Sequence, residues 1–213
     1  MDVLTLFTFG DSVLDSGRYN ERGLNAGALL ARNDDRLFPE FAGRDLSRRW
    51  KVTLEHRALD GHEVTDLMTQ LPASPPPAAA VALLSVGGND ILRYLLQPNP
   101  DGVRSFEREL RRFLAALDVR PVLIANIYDP SFGDDRNNFL GDEVDPKVVR
   151  ENHARVNAVL ERAGEASGAT VDLHSHFLTG DPSWFAQTIE PSLVGASEIR
   201  RCFLGSLEGL GIA

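Results

Sequence analysis

The sequence predicts an α/β fold: a five-stranded parallel sheet with helices packed on both faces. Three observations carry that expectation. Five short runs of apolar residues recur along the 213 residues, each of a length suited to a buried strand. Each run stops abruptly at a polar or glycine-containing segment. Amphipathic helical stretches lie between the runs, and a β-α alternation of this kind winds into a parallel sheet covered by helices.

The first run is VLTLFTF at 3–9, closed by Gly10-Asp11-Ser12. WKVTLEHRAL at 50–59 is strand-like and stops at Asp60-Gly61. VALLSV at 81–86 stops at Gly87-Gly88, PVLIANI at 121–127 runs into a loop, and TVDLH at 170–174 follows Gly168. The clearest helix places Phe106, Leu110, Phe113, Leu114 and Leu117 on one face. A second spans about 146–166, with Pro146 suited to a first turn, and a third begins near Pro191. The polar segment 18–45, built around a short Ala-Leu-Leu helix, is expected to contribute a substrate wall or lid. Pro72 to Pro77 form a connector into the third strand. No internal repeat or composition break divides the chain, so 1–213 is expected to be one domain.

Bulk properties narrow the function. A hydrophobic content of 43% with 25% charged residues is ordinary for a globular protein. The net charge of -9 argues against a nucleic-acid partner, because such surfaces are basic. The local clusters Arg108, Arg111, Arg112 and Arg200, Arg201 fit solvated helix faces. Cys202 has no partner for an internal disulfide and reads as a small apolar residue. The N-terminal MDVLTLFTFG lacks a basic leader and is too short an apolar run to span a membrane, which predicts a cytoplasmic protein without a membrane partner. Oligomeric state is not addressed by the sequence.

In an open parallel sheet, ligands bind beyond the carboxyl ends of the strands. The chemistry-bearing residues cluster at those ends. Ser12 at a strand-to-helix turn can present its hydroxyl where free backbone N–H groups point outward. Gly61 can offer an unobstructed N–H, and Asn89 an amide. Three donors converging on one point form an oxyanion hole.

FTFGDSVLDSG and SVGGNDIL resemble the first and third blocks of the GDSL, or SGNH, esterases and lipases. Gly61 in RALDGHEV falls where the second-block glycine lies, and EPSLVGASEIRR is similar to the last block. The resemblance spans nearly the whole chain. It implies a flavodoxin-like three-layer α/β/α sandwich and a cofactor-free enzyme. That enzyme would hydrolyse a small carboxylic ester through an acyl-serine. It assigns Ser12 as nucleophile and Ser12 N–H, Gly61 N–H and Asn89 as oxyanion donors. The Gly-x-Ser-x-Gly elbow of the other serine-esterase fold is absent.

The last block departs from the family. Where the family reads Asp-x-x-His-Pro, this chain has Gln187 and Glu190 before Pro191. Glu190 itself could take the serine proton, although a carboxylate of pKa about 4.3 is a weaker base than an imidazole of about 6.5. Alternatively Glu190 orients a histidine from another loop, with His176 favoured and His174 behind it; His62, beside Gly61, is a further candidate. His56 reads as structural and His153 as solvent-facing. A third alternative is a silent protein that binds a glycan or acyl ligand without turnover. The spacing Asp172-x-His174-x-His176 also admits a metal pair on a strand, disfavoured in so short a chain.

Overall fold

A computed structural model describes every residue except 138 and 142. Its main sheet contains β1 (Val3–Gly10), β2 (Lys51–His56), β3 (Ala80–Ser85), β4 (Val122–Ala125) and β5 (Gly168–Val171). All pairings are parallel and the order is β2-β1-β3-β4-β5. This is flavodoxin-like winding, with the strand order reversing between β1 and β3. The helices are α1 (Ala26–Ala31), α2 (Gly88–Tyr94), α3 (Pro100–Ala116), α4 (Pro146–Ser167), α5 (Leu173–Phe177) and α6 (Leu193–Gly209). Two short antiparallel strands, β6 (Phe185–Ala186) and β7 (Glu190–Pro191), form a separate hairpin.

Successive strand residues point to opposite faces, so each strand feeds two cores. Leu4 and Leu6 of β1 pack with Leu29 of α1 and with Ile199 and Phe203 of α6. Phe7 and Phe9 pack on the other side with Phe106, Leu110 and Phe113 of α3 and Leu160 of α4. The sheet is therefore the middle of three layers. The helical face predicted for α3 is the one buried. That helix opens on Asn99, whose side chain accepts from Gly102 N–H at 2.9 Å, with Pro100 in the first turn.

The structure corrects several expectations. β5 ends at Val171, and His174 and His176 lie on α5, not on the strand. The cause is local: Asp172 accepts from Ser175 N–H at 3.0 Å and starts a helix at once. Glu190 and Pro191 belong to β7, and α6 starts at Leu193 behind the N-cap Ser192, which accepts from Gly195 N–H at 3.1 Å. Gly195 is required there, because a Cβ would sit 2.1 Å from Trp184 O.

The apolar residues of segment 18–45 serve the core and do not line the cavity, with Ala26, Leu29, Leu30, Phe38 and Phe41 buried. Arg18 of this segment pairs with Asp60 beside the site. Phe38 and Phe41 enclose Arg200, which is buried and not solvated, with its guanidinium 3.6 Å from the Phe41 ring centre. Asn33 accepts from it at 2.6 Å. No helix among the described residues is long and apolar enough to cross a membrane.

Candidate active site

The reversal between β1 and β3 leaves a crevice at the carboxyl ends of those strands. β1 leaves the sheet through Gly10, whose φ is +119° and where a Cβ would lie 1.7 Å from Ser85 O. The Gln70 side chain grips this glycine twice, accepting from its N–H at 2.7 Å and donating to its carbonyl at 2.8 Å. One helical turn follows: Leu14 N–H and Asp15 N–H both donate to Asp11 O, and Asp11 Oδ1 accepts from Val13 N–H at 3.1 Å. Ser12 sits on that turn and is 7% exposed.

Gly61 lies in the loop after β2 with φ +79°. The loop is tied to β1 by Leu59 N–H, which donates to Gly10 O at 3.0 Å. Asp60 pairs with Arg18 at 2.7 Å. Among the described residues, neither Ser12 N–H nor Gly61 N–H has an acceptor. Asn89 comes from the first turn of α2, reached through Gly87 at φ +118°. Its Nδ2 donates to His62 O at 2.9 Å, which fixes the amide beside the Gly61 loop. That bond uses one of the two amide protons.

The β6–β7 hairpin brings in Glu190. Its turn holds two non-glycine residues in the left-handed region, Gln187 at φ 48° and Thr188 at φ 73°. Such residues cost on the order of 1–3 kcal/mol each and persist only where the surroundings impose them. Here Tyr128 Oη donates to Ile189 O at 2.7 Å, and its ring stacks on Phe177 at 4.6 Å. Burial raises the pKa of the half-buried Glu190 carboxyl, partly offset by the nearby Ser12 hydroxyl. The Asp60 charge adds to the rise and Arg18 opposes it.

Asp11, next to Ser12, is fully buried, and this pushes its pKa up to about 8, with the charges of Glu190 and Asp90 adding to the rise. At neutral pH its carboxyl is therefore mostly protonated. Beside Ser12 and Glu190 opens a cavity of about 140 Å³. Its walls include Val13, Ile91, Leu92, Ile127 and Val149, and Arg150 and Asp129, paired at 3.3 Å, also line it.

A family model for GDSL-like lipases and acylhydrolases matches residues 8–195. The chain belongs to the GDSL-like lipase/acylhydrolase family. Solved structures agree with the fold. The acetylxylan esterase Axe2 of Geobacillus stearothermophilus is 19% identical with a TM-score of 0.67, over 96% of this chain and 94% of that one. A catalytic mutant of Axe2, with a serine changed to alanine, matches with 17% identity and a TM-score of 0.64, over 97% and 95%. An extracellular lipase of Streptomyces rimosus is 15% identical with a TM-score of 0.62, over 97% and 99%. The esterase EstA of Pseudoalteromonas sp., in a form inhibited by monoethylphosphonate, is 14% identical with a TM-score of 0.61, over 97% of each chain. A comparison with curated protein sequences finds no match.

In this GDSL-like hydrolase the structure gathers Ser12, Asn89 and Glu190 around one cavity, with Gly61 on the adjoining loop. It does not bring His176 there. His176 Nε2 lies 2.9 Å from Glu198 Oε2, and its ring packs on Trp184. Burial works against ionisation of Glu198, but the hydrogen bonds from His176 and Arg201 outweigh it and hold its pKa at about 2. The expected Glu190–His176 contact is therefore replaced by a Glu198–His176 pair on α5 and α6.

The other histidines are also engaged. His174 packs its ring against His153, so His174 and His176 have different partners. Among the described residues no group of three or more His, Cys, Asp or Glu is placed to hold a metal. His62 Nδ1 lies 2.9 Å from Gln70 Nε2. His153, expected to face solvent, lines the cavity instead, with Nε2 donating to Ile127 O at 2.9 Å. Burial and the neighbouring His174 lower its pKa. The sequence gives no signal for Tyr128. Cys202 is partly buried against the core, and burial raises its thiol to about 12, so it is not a nucleophile.

Proposed function

We propose that the protein hydrolyses a carboxylic ester through an acyl-serine on Ser12, with Glu190 as general base. The observation that carries this reading is the Glu190 carboxyl facing the same cavity as Ser12, which sits on a turn whose own N–H is unpaired. Glu190 takes the hydroxyl proton as Ser12 Oγ bonds the acyl carbon. The carbonyl electron pair moves onto oxygen, where Ser12 N–H, Gly61 N–H and the second Asn89 amide proton receive it. Collapse breaks the ester C–O bond, and protonated Glu190 returns its proton to the leaving alcohol. Water then repeats the sequence on the acyl-serine and releases the acid. The raised pKa of Glu190 supports its role, since a base is most effective when its pKa approaches the working pH. No cofactor takes part in these steps.

The test is labelling by a fluorophosphonate probe together with hydrolysis of p-nitrophenyl esters. Wild-type protein is expected to be labelled and active, and Ser12→Ala to be neither. A wild type silent in both assays would instead favour the binding protein without turnover.

The apolar walls of the cavity point to the acyl side of the substrate. An apolar space of roughly 150 Å³ holds a six-carbon ring, so a short chain fits with room beyond an acetyl group. Two added methylenes, at about 0.8 kcal/mol each, raise kcat/KM by roughly tenfold. The butanoate ester is therefore expected to be the better substrate than the acetate. An acetate ester cleaved as efficiently as the butanoate would remove the acyl group from this cavity.

A further inference from the structure

Asp15 occupies the position directly before the 3-10 helix Ser16–Tyr19, where an aspartate side chain ordinarily caps the helix; here it caps nothing. Both carboxylate oxygens are used elsewhere. Oδ2 accepts from Asp60 N–H at 3.0 Å, and Oδ1 accepts from His56 Nε2 at 3.1 Å. His56 is held in turn at the end of β2, its Nδ1 lying 2.7 Å from Thr8 Oγ1 of β1. Asp15 itself rides on the turn that carries Ser12, because its N–H donates to Asp11 O at 3.0 Å.

One side chain thus ties the nucleophile's turn to the residue preceding Gly61. We infer that Asp15, braced by His56, is a positioning residue that sets the Gly61 N–H relative to Ser12. This rests on the oxyanion role proposed for Gly61. The physical reason is that Gly61, at positive φ and with no side chain, has nothing of its own to anchor it. Its direction is inherited from Asp60. Arg18 holds the Asp60 carboxylate, and Asp15 holds the Asp60 N–H. Releasing the N–H leaves the next peptide free to rotate, and an oxyanion donor that swings away no longer stabilises the transition state while ground-state binding is unaffected.

The experiment measures kcat and KM separately for p-nitrophenyl butanoate, with thermal unfolding as a control. Asp15→Ala is expected to lower kcat by roughly 10- to 100-fold with KM unchanged, less than the complete loss of a donor. Asp15→Asn is expected to recover most of that loss, since its Oδ1 still accepts from Asp60 N–H. Should Asp15→Ala fail to fold, His56→Ala serves in its place, with an expected fall in kcat of about tenfold. A folded alanine variant with wild-type kcat overturns the inference, as does a loss confined to KM or an asparagine variant no better than alanine. These outcomes concern Asp15 alone when wild type is active and Ser12→Ala is not. If Ser12→Ala retains activity, the parent reading falls, and the inference with it.

Discussion

Glu190→Gln is expected to lower kcat for ester hydrolysis by roughly 10²–10⁴-fold while leaving KM nearly unchanged. Glutamine keeps the size and the hydrogen-bonding oxygen of the side chain, so the hairpin and the side chain's place beside Ser12 are retained. Its amide cannot take the proton that Ser12 must lose. The serine is then left to a water molecule, and only the oxyanion donors and substrate binding still act. In wild type, activity should rise with pH through a midpoint above the ordinary glutamate value, because burial raises the Glu190 carboxyl. In Glu190→Gln that rising limb should vanish. His176→Ala, by contrast, should leave kcat unchanged, since its imidazole is engaged with Glu198 on α6. Steady-state kinetics on the two variants decide the matter: full activity in Glu190→Gln together with a large loss in His176→Ala would reverse the assignment. Groups acting as a unit are non-additive, so Ser12→Ala/Glu190→Gln should be no slower than Ser12→Ala alone.

Asp11→Asn should act on both stability and the alkaline side of the activity profile. The Asp11 carboxyl is fully buried, with a folded-state pKa near 8 against an ordinary value of 3.8. A group raised in this way contributes stability fully present below its unfolded pKa, and that stability is lost as pH rises through the folded one. In wild type the loss therefore accumulates between those two values and is complete above the upper one. Asparagine carries no titrating proton and can still accept from Val13 N–H, so its variant should escape the loss. The expected gain over wild type at about pH 9 is on the order of a few kcal/mol, shrinking to near zero at about pH 4. For catalysis, ionised Asp11 would add negative charge beside the carbonyl oxygen that must itself become negative. Wild-type kcat should decline as pH passes about 8, and Asp11→Asn should flatten that decline. Thermal unfolding and pH–rate profiles test the two claims independently. A melting temperature of Asp11→Asn that tracks wild type across the range would show Asp11 to be ionised in the fold.

The sheet was legible because parallel strands are buried on both faces and must be nearly continuous apolar runs. The placement of Ser12, Gly61 and Asn89 at one end of the sheet was legible because each follows such a run at its carboxyl end. The histidines were not, for a local reason and a distant one. Locally, Asp172 and Ser175 form an N-cap that converts the expected strand end into α5 and turns His176 toward α6. At a distance, His153 sits on a helix rich in charge, and only the β4 loop, through Ile127 O, turns it inward. Arg200 looked solvated because Asn33, Phe38 and Phe41, which bury it, lie at the other end of the chain. Helical periodicity has no access to such partners. The same limit hid the rise in the Asp11 pKa, which comes from burial that no neighbour in sequence announces.

The hairpin that carries Glu190 is fixed at its base by the start of α6 and at its turn by Tyr128. Ser192 N–H donates to Trp184 O at 2.9 Å, and Gly195 lets that carbonyl approach the helix. Where the proposed base stands and what it is are therefore separate inheritances. The first is written in Tyr128, Trp184, Ser192 and Gly195; the second in one side chain at the tip of a two-residue strand. A lineage can exchange the proton acceptor at position 190 in a single step without disturbing a core residue, and selection can then retune the working pH of the enzyme on an unchanged frame.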